Sequence, residues 1–488
     1  MSPGQIRVFN TMSQKKEDLT PIVPGEIGLY VCGPTVYSYV HIGNARTFTS
    51  FDVVVRYLRY RGFKVRYVRN FTDVDDKIIN AAKETGEAAV ALAARFVEEF
   101  RKDARALHLI EPDVSPKVSD HIPEIVSLIE KLVADGVGYE SHGDVYFAVG
   151  KHPGYAKLSH RNLDDLKAGV GERVAVGDQK RDPLDFALWK AAKPGEPSWD
   201  SPWGKGRPGW HIECSAISVK YLGESFDLHG GGLDLIFPHH ENELAQSEAA
   251  FHKPFCKVWM HCGFLDLEGA KMSKSLGNVV RLRDALERVD PEALRYFFLS
   301  THYRNPLSFG EKSLADAEAR MEYFYETLRR VDERLEAKEF IKGPLHGEPG
   351  KFLAEFETAM DDDFNTAGAM SALSGMFAMM NELLDKPPVK DKVLVGRTLV
   401  ELREQVRKVS KVMGLFEDEA AGWLLRRRDR AVREKGLDRA KVDSLVQARQ
   451  AARTAKNFAE ADRLRGELKT LGVEIMDGPA GTTWKVAL

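Results

Sequence analysis

Residues 28–34 read Gly-Leu-Tyr-Val-Cys-Gly-Pro, a short apolar run that a glycine and a proline interrupt. Such a run predicts a buried strand. The motif His41-Ile42-Gly43-Asn44 follows and leads into a helical pattern over about 45–61. Alternating residues predict a strand over 65–72, and a helical stretch is predicted over about 76–107. Strand, helix, strand and helix at these lengths predict an α/β fold with a parallel sheet of the Rossmann, nucleotide-binding type.

The rest of the chain predicts further domains. We expect the Rossmann-type domain to span 1–290, with an insertion over about 124–208 that contains a hairpin at 136–148, and with strands resuming near 226–229 and 258–261. A helical connector over 291–345, a helical bundle over 346–415 and a small α+β domain over 420–488 follow. In the connector, apolar residues recur at spacings of three and four and predict bundle core: Ala317, Met321, Phe324, Leu328, Val331 and Leu335.

Composition describes an ordinary water-soluble chain. It has 488 residues, of which 43% are hydrophobic and 29% charged. We expect no membrane span, because no run of 18 apolar residues occurs, and no secretion signal, because residues 1–16 lack an apolar core. Four cysteines in this length predict reduced thiols and a cytoplasmic protein. Net charge is -3, but residues 421–488 hold 15 Lys and Arg against 9 Asp and Glu, a modest basic footprint.

Four residues distant in sequence form a candidate metal set: Cys32, Cys214, His239 and Glu243. Two thiolates, an imidazole and a carboxylate suit one zinc ion. If Pro238 begins a helix, His239 and Glu243 share one face and His240 points elsewhere. Taken singly, each cysteine is typical of a buried free thiol. The His239/Glu243 pair alone is typical of an exposed contact between charged side chains. The metal interpretation therefore depends on the other motifs.

Two motifs favour nucleotide chemistry. The His41-Ile42-Gly43-Asn44 motif at a helix start offers backbone donors to phosphate, and Gly43 permits close approach of a base or ribose. Downstream, Lys271-Met272-Ser273-Lys274-Ser275 places two ammonium groups where they could neutralise a leaving pyrophosphate. Each motif alone is weak, since a lysine-rich loop is often only a solvated surface. A P-loop is excluded because the chain has no Gly-x4-Gly-Lys-Ser/Thr sequence.

Together the two motifs resemble the HIGH and KMSKS signatures of class I aminoacyl-tRNA synthetases, with Asn44 replacing the second histidine. Further stretches resemble the cysteine-specific members of that class, and the likeness extends from about Gly28 to Trp484. They are residues 32–37, 70–77, 209–214, 227–243, 458–465 and 481–484.

The resemblance implies a role for each matching residue. Cys32, Cys214, His239 and Glu243 would hold one zinc ion, which the substrate thiolate would also bind. Thr72, Trp210 and Asp234 would surround the amino acid. The ATP-binding and catalytic groups would be His41, Gly43, Asn44, Lys271, Ser273 and Lys274. Magnesium would accompany ATP.

The implied activity is ligation of L-cysteine to tRNA(Cys) through a cysteinyl-adenylate, by a monomer whose residues 420–488 bind the anticodon. The arginines at positions 426, 427, 428 and 430 are candidate tRNA contacts, although such a run is equally typical of a solvated helix face. Two alternatives stay open: a ligase joining cysteine to a small amine, as in mycothiol synthesis, and a non-catalytic, zinc-stabilised nucleic-acid-binding protein.

Overall fold

The computed structural model describes residues 5–163, 180–267, 270–271, 279–335, 343–388, 390–478 and 481–486. The described helices are α1 (Ile42–Tyr60), α2 (Asp76–Thr85), α3 (Ala89–Ala106), α4 (Ile122–Ala134), α5 (Trp210–Leu222), α6 (Glu241–Phe251), α7 (Leu282–Arg288), α8 (Pro291–Leu299), α9 (Glu311–Leu335), α10 (Gly350–Asp361), α11 (Thr366–Asp385), α12 (Lys392–Met413), α13 (Ala420–Glu434), α14 (Arg439–Thr454) and α15 (Phe458–Thr470). The described strands are β1 (Arg7–Asn10), β2 (Lys15–Asp18), β3 (Glu26–Val31), β4 (Lys64–Arg69), β5 (Gly138–Ser141), β6 (Asp144–Phe147), β7 (Phe186–Ala191), β8 (Gly206–Pro208), β9 (Phe226–Gly232), β10 (Cys256–Cys262), β11 (Leu265–Leu267), β12 (Ala270–Lys271), β13 (Leu307–Phe309), β14 (Val473–Gly478) and β15 (Gly481–Val486).

A four-stranded parallel sheet in the order β10-β9-β3-β4 is the centre of the first domain. Alternate residues of its strands face opposite sides. Leu29 and Val31 join a core with α1 and the helices that follow residue 290, whereas Tyr30 packs with α4, α5 and α6. Burial on both faces explains the nearly continuous apolar run of β3. The predicted α/β fold with a parallel sheet is confirmed.

The helix predicted over 76–107 is two helices. α2 ends at Thr85, and Gly86 follows with a φ of +72°, a left-handed conformation that glycine adopts without strain. α3 then begins at Ala89. The predicted helical stretch is thus present, with a break at residues 86–88.

The region after α4 forms a separate antiparallel sheet in the order β5-β6-β7-β8. The predicted hairpin at 136–148 is present as β5 and β6, and two further strands extend it. Beyond β10, the short strands β12, β11 and β13 form a small sheet in that order.

The chain after residue 290 is helical, as predicted. The stripe on α9 is bundle core: five of its six members are buried, and Leu335 packs partly buried against them. The last 50 residues build a separate apolar cluster around Trp484 and Val442. α13 belongs to both regions, because its Trp423 lies in the main core while Ala431 and Val432 lie in the small one. The domain limits given above stay predictions.

Among the described residues, no helix is both long enough and apolar enough to cross a membrane.

Candidate active site

A cleft of about 360 Å³ opens at the carboxyl ends of the parallel strands. Cys32 follows β3, Thr72 follows β4, and Gly232 and Cys262 end β9 and β10; all four line the cleft. Ligands of parallel sheets bind at this edge. The sequence-predicted residues that the fold brings to its wall are Cys32, His41, Gly43, Asn44, Thr72, Trp210, Cys214, Asp234 and His239.

Cys32, Cys214, His239 and Glu243 converge at one end of the cleft. Their donor atoms all lie within 4.8 Å of one another, and all four residues are buried. The two Sγ atoms are 3.9 Å apart, Cys32 Sγ is 3.3 Å from Glu243 Oε1, and His239 Nε2 is 2.9 Å from the same oxygen. The fold therefore assembles a buried Cys/His/Glu cluster that could bind a metal ion.

The sequence analysis considered a helix that begins at Pro238, but the helix that contains Glu243 begins later. Residues Ile236–His240 form an irregular turn, in which Phe237 has extended dihedral angles (φ −137°, ψ 130°), and α6 begins at Glu241. His239 thus reaches Glu243 from this turn. The prediction that His240 points elsewhere was also wrong: its Nε2 lies 3.3 Å from Cys32 Sγ.

A second candidate set shares two of these residues. Cys32, His229, His240 and Glu243 also have donor atoms within 4.8 Å of one another. His229 Nε2 donates to Glu243 Oε2 over 2.8 Å, and the ring stacks on Trp259. His229 and His240 are fully buried and do not line the cleft, whereas Cys214 and His239 do. The first set therefore has three members on the cleft wall, and the second has only Cys32 there among the described residues.

Electrostatics within the cluster favour charged ligands. Burial alone would raise the pKa of Cys214, but hydrogen bonds from Cys32 and His239 lower it to about 6. Burial opposes the charge on His239, yet Glu243 and Cys214 raise its pKa to about 10. Burial likewise opposes ionisation of Glu243, while His229 and His239 hold its pKa well below the usual range. Cys32 differs, because burial and its hydrogen bond to Cys214 raise its pKa well above the usual value.

Two neighbouring histidines stay neutral because they are buried. Burial lowers the pKa of His240 well below its usual value and that of His261 to about 3. His240 Nδ1 shares a hydrogen bond with His261 Nε2 (2.8 Å), and His261 Nδ1 shares one with Thr11 Oγ1 (2.8 Å). Sequence reasoning missed this chain of partners, because the three residues are far apart and lie on different elements.

The cleft residue Thr72 contacts a buried acid that the sequence analysis also missed. Thr72 Oγ1 donates to Glu213 Oε2 over 3.0 Å, and burial together with the nearby Cys214 raises the pKa of Glu213 well above its usual value. Trp210 stacks on His239, with ring centroids 4.3 Å apart. Asp234 is the only carboxylate among the described residues that line the cleft.

The predicted nucleotide motif does begin a helix. His41 is the N-cap of α1, and its Nδ1 accepts from the Asn44 backbone N–H over 3.2 Å. Burial lowers the pKa of His41, and Asp234 partly offsets this effect. The motif therefore presents a neutral imidazole, Gly43 and Asn44 to the cleft.

The lysine motif is described only at its edges. Lys271 belongs to β12, whose backbone pairs with β11, directly after the cleft residues Gly263 and Phe264. Ser273 and Lys274 lie outside the described residues. On the far side, the Ile42 N–H donates to the Val280 carbonyl over 3.1 Å. Both described flanks are thus held beside the cleft.

The arginine run on α13 is largely engaged within the chain. Arg430 donates to Glu318 (2.7 Å) and Asp290 (3.4 Å), and its side chain is 13% exposed. Arg427, at 6% exposure, faces Glu318 and Glu322 at 3.5 and 3.8 Å. These two arginines join α13 to α9 and to the start of α8.

Family models match most of the chain. The model described as the tRNA synthetases class I (C) catalytic domain matches residues 18–319. A DALR domain matches 355–417, and a cysteinyl-tRNA ligase anticodon binding domain matches 439–484.

Similar proteins match over nearly their full length. A cysteine–tRNA ligase of Syntrophotalea carbinolica is 49% identical over 484 residues, covering 98% of this chain and 99% of the relative. One of Anaeromyxobacter dehalogenans is 52% identical over 487 residues, covering 99% of each.

Solved structures share the fold. Mycobacterium tuberculosis methionyl-tRNA synthetase in complex with methionyl-adenylate superposes with a TM-score of 0.60 at 18% identity, covering 80% of this chain and 92% of that one. A leucyl-tRNA synthetase from Agrobacterium radiobacter gives 0.57 at 12% identity, covering 83% and 87%. The full-length relatives and the catalytic-domain match agree, and the chain belongs to the cysteinyl-tRNA ligase family of class I aminoacyl-tRNA synthetases.

Proposed function

We propose that this ligase selects L-cysteine with a zinc ion held by Cys32, Cys214, His239 and Glu243, activates it with ATP in the cleft, and transfers it to tRNA(Cys). ATP-dependent charging of tRNA with cysteine follows from family membership. The observation that carries the finer proposal is the convergence of these four residues, three of which line the cleft.

The cluster fits zinc in ligand type and size. Two sulfurs bound at about 2.3 Å in a tetrahedron lie about 3.8 Å apart, close to the 3.9 Å between Cys32 and Cys214. The low pKa of Cys214 provides a thiolate, which is the form that binds metal. When bound, zinc supplies a preference for the soft thiolate of cysteine over the neutral hydroxyl of serine.

Chemical preference is useful here because shape separates the two amino acids poorly. Apolar fit usually yields only about 1–3 kcal/mol of discrimination. The rest of the amino acid then needs orientation. We assign the substrate ammonium group to Asp234, and the wall of the amino-acid pocket to Thr72 and Trp210, which Glu213 and His239 hold in place.

Activation requires the substrate carboxylate to attack the α-phosphate of ATP and release pyrophosphate. We assign the nucleotide to the start of α1, where His41, Gly43 and Asn44 line the cleft. The lysine motif would neutralise charge that develops on the phosphates, and the position of its described flanks supports this role for Lys271, Ser273 and Lys274. No protein nucleophile is needed, since positioning and charge stabilisation suffice for both steps.

The family matches disfavour the two alternative functions. A ligase for a small amine needs no anticodon-binding domain, yet residues 439–484 match one. A non-catalytic nucleic-acid-binding protein leaves the catalytic-domain match unexplained. A monomer, Mg²⁺ bound with ATP and a cytoplasmic location stay predictions.

Cysteine-dependent ATP–pyrophosphate exchange tests the proposal, with Cys214→Ser compared with Cys256→Ser. Both cysteines are buried, but Cys256 is absent from the cleft and from both candidate metal sets. We expect Cys214→Ser to lose cysteine-dependent exchange and Cys256→Ser to keep it. Equal exchange by both variants would refute the assignment of Cys214.

A further inference from the structure

Asp363 lies in the turn between α10 and α11, remote in sequence from the cleft, and is completely buried. Its φ is +67° and that of Phe364 is +49°, a left-handed conformation that is uncommon for residues other than glycine. Such backbone persists where surrounding contacts specify it. The turn is therefore held in one conformation by its partners.

Those partners come from two other parts of the chain. Asp363 Oδ1 accepts from the Phe9 backbone N–H (2.9 Å) and from Tyr303 Oη (2.8 Å). Its Oδ2 accepts from Arg304 Nε (2.7 Å), and Arg304 Nη2 is also 2.7 Å away. A buried carboxylate with a guanidinium and two further donors is well satisfied. Asp363 thus fixes the loop at 302–305.

The loop in turn supports the floor of the cleft. The Gly263 N–H donates to the Tyr303 carbonyl over 2.8 Å. A Cβ at Gly263 would lie 2.5 Å from the Arg304 carbonyl oxygen, so the two backbones are in direct contact. Gly263 and Phe264 line the cleft. A shift of the loop would therefore move this floor.

Arg46 ties the same loop to the nucleotide motif. It lies on α1, shortly after Asn44, and is completely buried. Its guanidinium donates to the carbonyls of Gly263 (3.0 Å), Phe264 (2.6 Å) and Asn305 (2.5 Å). Beyond the loop, β13 pairs with β11, and β11 pairs with the strand that contains Lys271.

We propose that Asp363 is a positioning residue for adenylate formation, through which the helical region sets the geometry of the nucleotide side of the cleft. The path runs from Asp363 through the 302–305 loop to Gly263, Arg46 and α1. Among the described contacts, no residue of this path meets Cys32 or Cys214. A second, longer route runs from Asp363 through the Phe9 N–H and β1 to Thr11 and His261. The inference depends on the proposed assignment of the cleft as the adenylate-forming site.

The test is ATP–pyrophosphate exchange by Asp363→Asn, with ATP and cysteine varied separately. Asparagine keeps the shape but removes the charge facing Arg304. We expect kcat/KM for ATP to fall by about ten- to a hundredfold, because a displacement of about 1 Å can cost a hundredfold. The KM for cysteine, bound zinc and the fraction of active sites should stay near the wild-type values.

Asp362→Asn is the matched control. Asp362 lies in the same turn, but its side chain is 52% exposed and pairs only with Lys16 at 2.7 Å among the described contacts. Asp362→Asn should leave KM and kcat/KM unchanged for both ATP and cysteine. If Asp363→Asn does not fold, Arg304→Gln replaces it in the same assay. Arg304 is 31% exposed, and its replacement weakens the same ion pair from the exposed side.

The outcomes separate this inference from the site assignment. The positioning role would be overturned if Asp363→Asn kept the wild-type kcat/KM for ATP per active site, even with lower thermal stability. The same result in Arg304→Gln would overturn it if Asp363→Asn does not fold. An equal rise in the KM for ATP and in the KM for cysteine would also overturn it. His41→Ala reports on the cleft itself: if exchange survives that change, the assignment of the cleft is wrong and this inference is wrong with it.

Discussion

Replacing Arg430 should separate a structural role of the α13 arginines from direct contact with tRNA. Arg430→Met removes the guanidinium that faces Glu318 and Asp290, whose side chains are only 10% and 4% exposed. Removing one partner of a buried ion pair costs about 3–5 kcal/mol. Because Arg430 is 13% exposed and Arg427 still faces Glu318, we expect a loss nearer to about 2–3 kcal/mol in the free energy of unfolding.

Arg426→Met is the control on the same helix and with the same change in charge. Arg426 is 51% exposed and pairs with Asp418, itself 38% exposed. A pair of this kind contributes less than about 1 kcal/mol. The assay is thermal unfolding of both variants, together with their KM for tRNA(Cys) at two salt concentrations.

The structural role predicts a lower unfolding midpoint for Arg430→Met, while Arg426→Met stays near the wild type. If the run instead binds tRNA phosphates directly, the exposed Arg426 should matter more for tRNA KM and for its dependence on salt. Wild-type stability of Arg430→Met would refute the reasoning from its ion pairs.

Three further predictions concern the tail, the lysine motif and pH. Removing residues 437–488 should leave cysteine-dependent exchange nearly intact and raise the tRNA KM steeply. The cut is placed after α13 because a cut at 421 would also remove Trp423, a residue of the main core. Normal tRNA charging by the shortened protein would refute the assignment of tRNA binding to the tail. Lys274→Ala should raise the activation free energy of adenylate formation by about 2–4 kcal/mol, with little change in cysteine affinity. An unchanged pre-steady-state rate of adenylate formation would show that the loop is structural. Burial, opposed in part by hydrogen bonds from Tyr325 and the Glu417 N–H, raises the pKa of Glu292 from its usual 4.5 to about 7. The unfolded chain therefore loses this proton at lower pH than the folded protein, so wild-type stability should fall as pH rises from about 4.5 to 7, and Glu292→Gln should gain up to about 3 kcal/mol relative to it across that window. A pH-independent difference between their unfolding midpoints would contradict this.

Local sequence was sufficient for the main sheet, whereas several members of the cleft, such as Thr72, Trp210 and Asp234, were predicted only through the family resemblance. The strand before Cys32 and the helix after His41 are short-range features, and the carboxyl edge of a parallel sheet then brings their ends together. The stripe on α9 was equally readable, because its period is that of a helix packed on one side.

What could not be predicted depends on contacts distant in sequence. His240 was misplaced because an irregular turn, not a helix, carries it towards Cys32. The arginine run of α13 is typical of a solvated basic helix face in sequence, but in the fold Arg430 faces Glu318 and Asp290. Asp363 gives no sign in the sequence of the loop that it fixes, since its partners lie about 60 and 354 residues away.

Metal content tests the central claim most directly. We expect elemental analysis to find one zinc ion per chain in purified wild-type protein and in Cys256→Ser, and to find that Cys214→Ser has lost it. If four ligands share the roughly 10–16 kcal/mol typical of structural zinc, one ligand represents about 3 kcal/mol, or about a hundredfold in affinity. Chelated wild-type protein should lose cysteine binding yet still bind ATP. A metal-free protein that still prefers cysteine to serine would contradict the account.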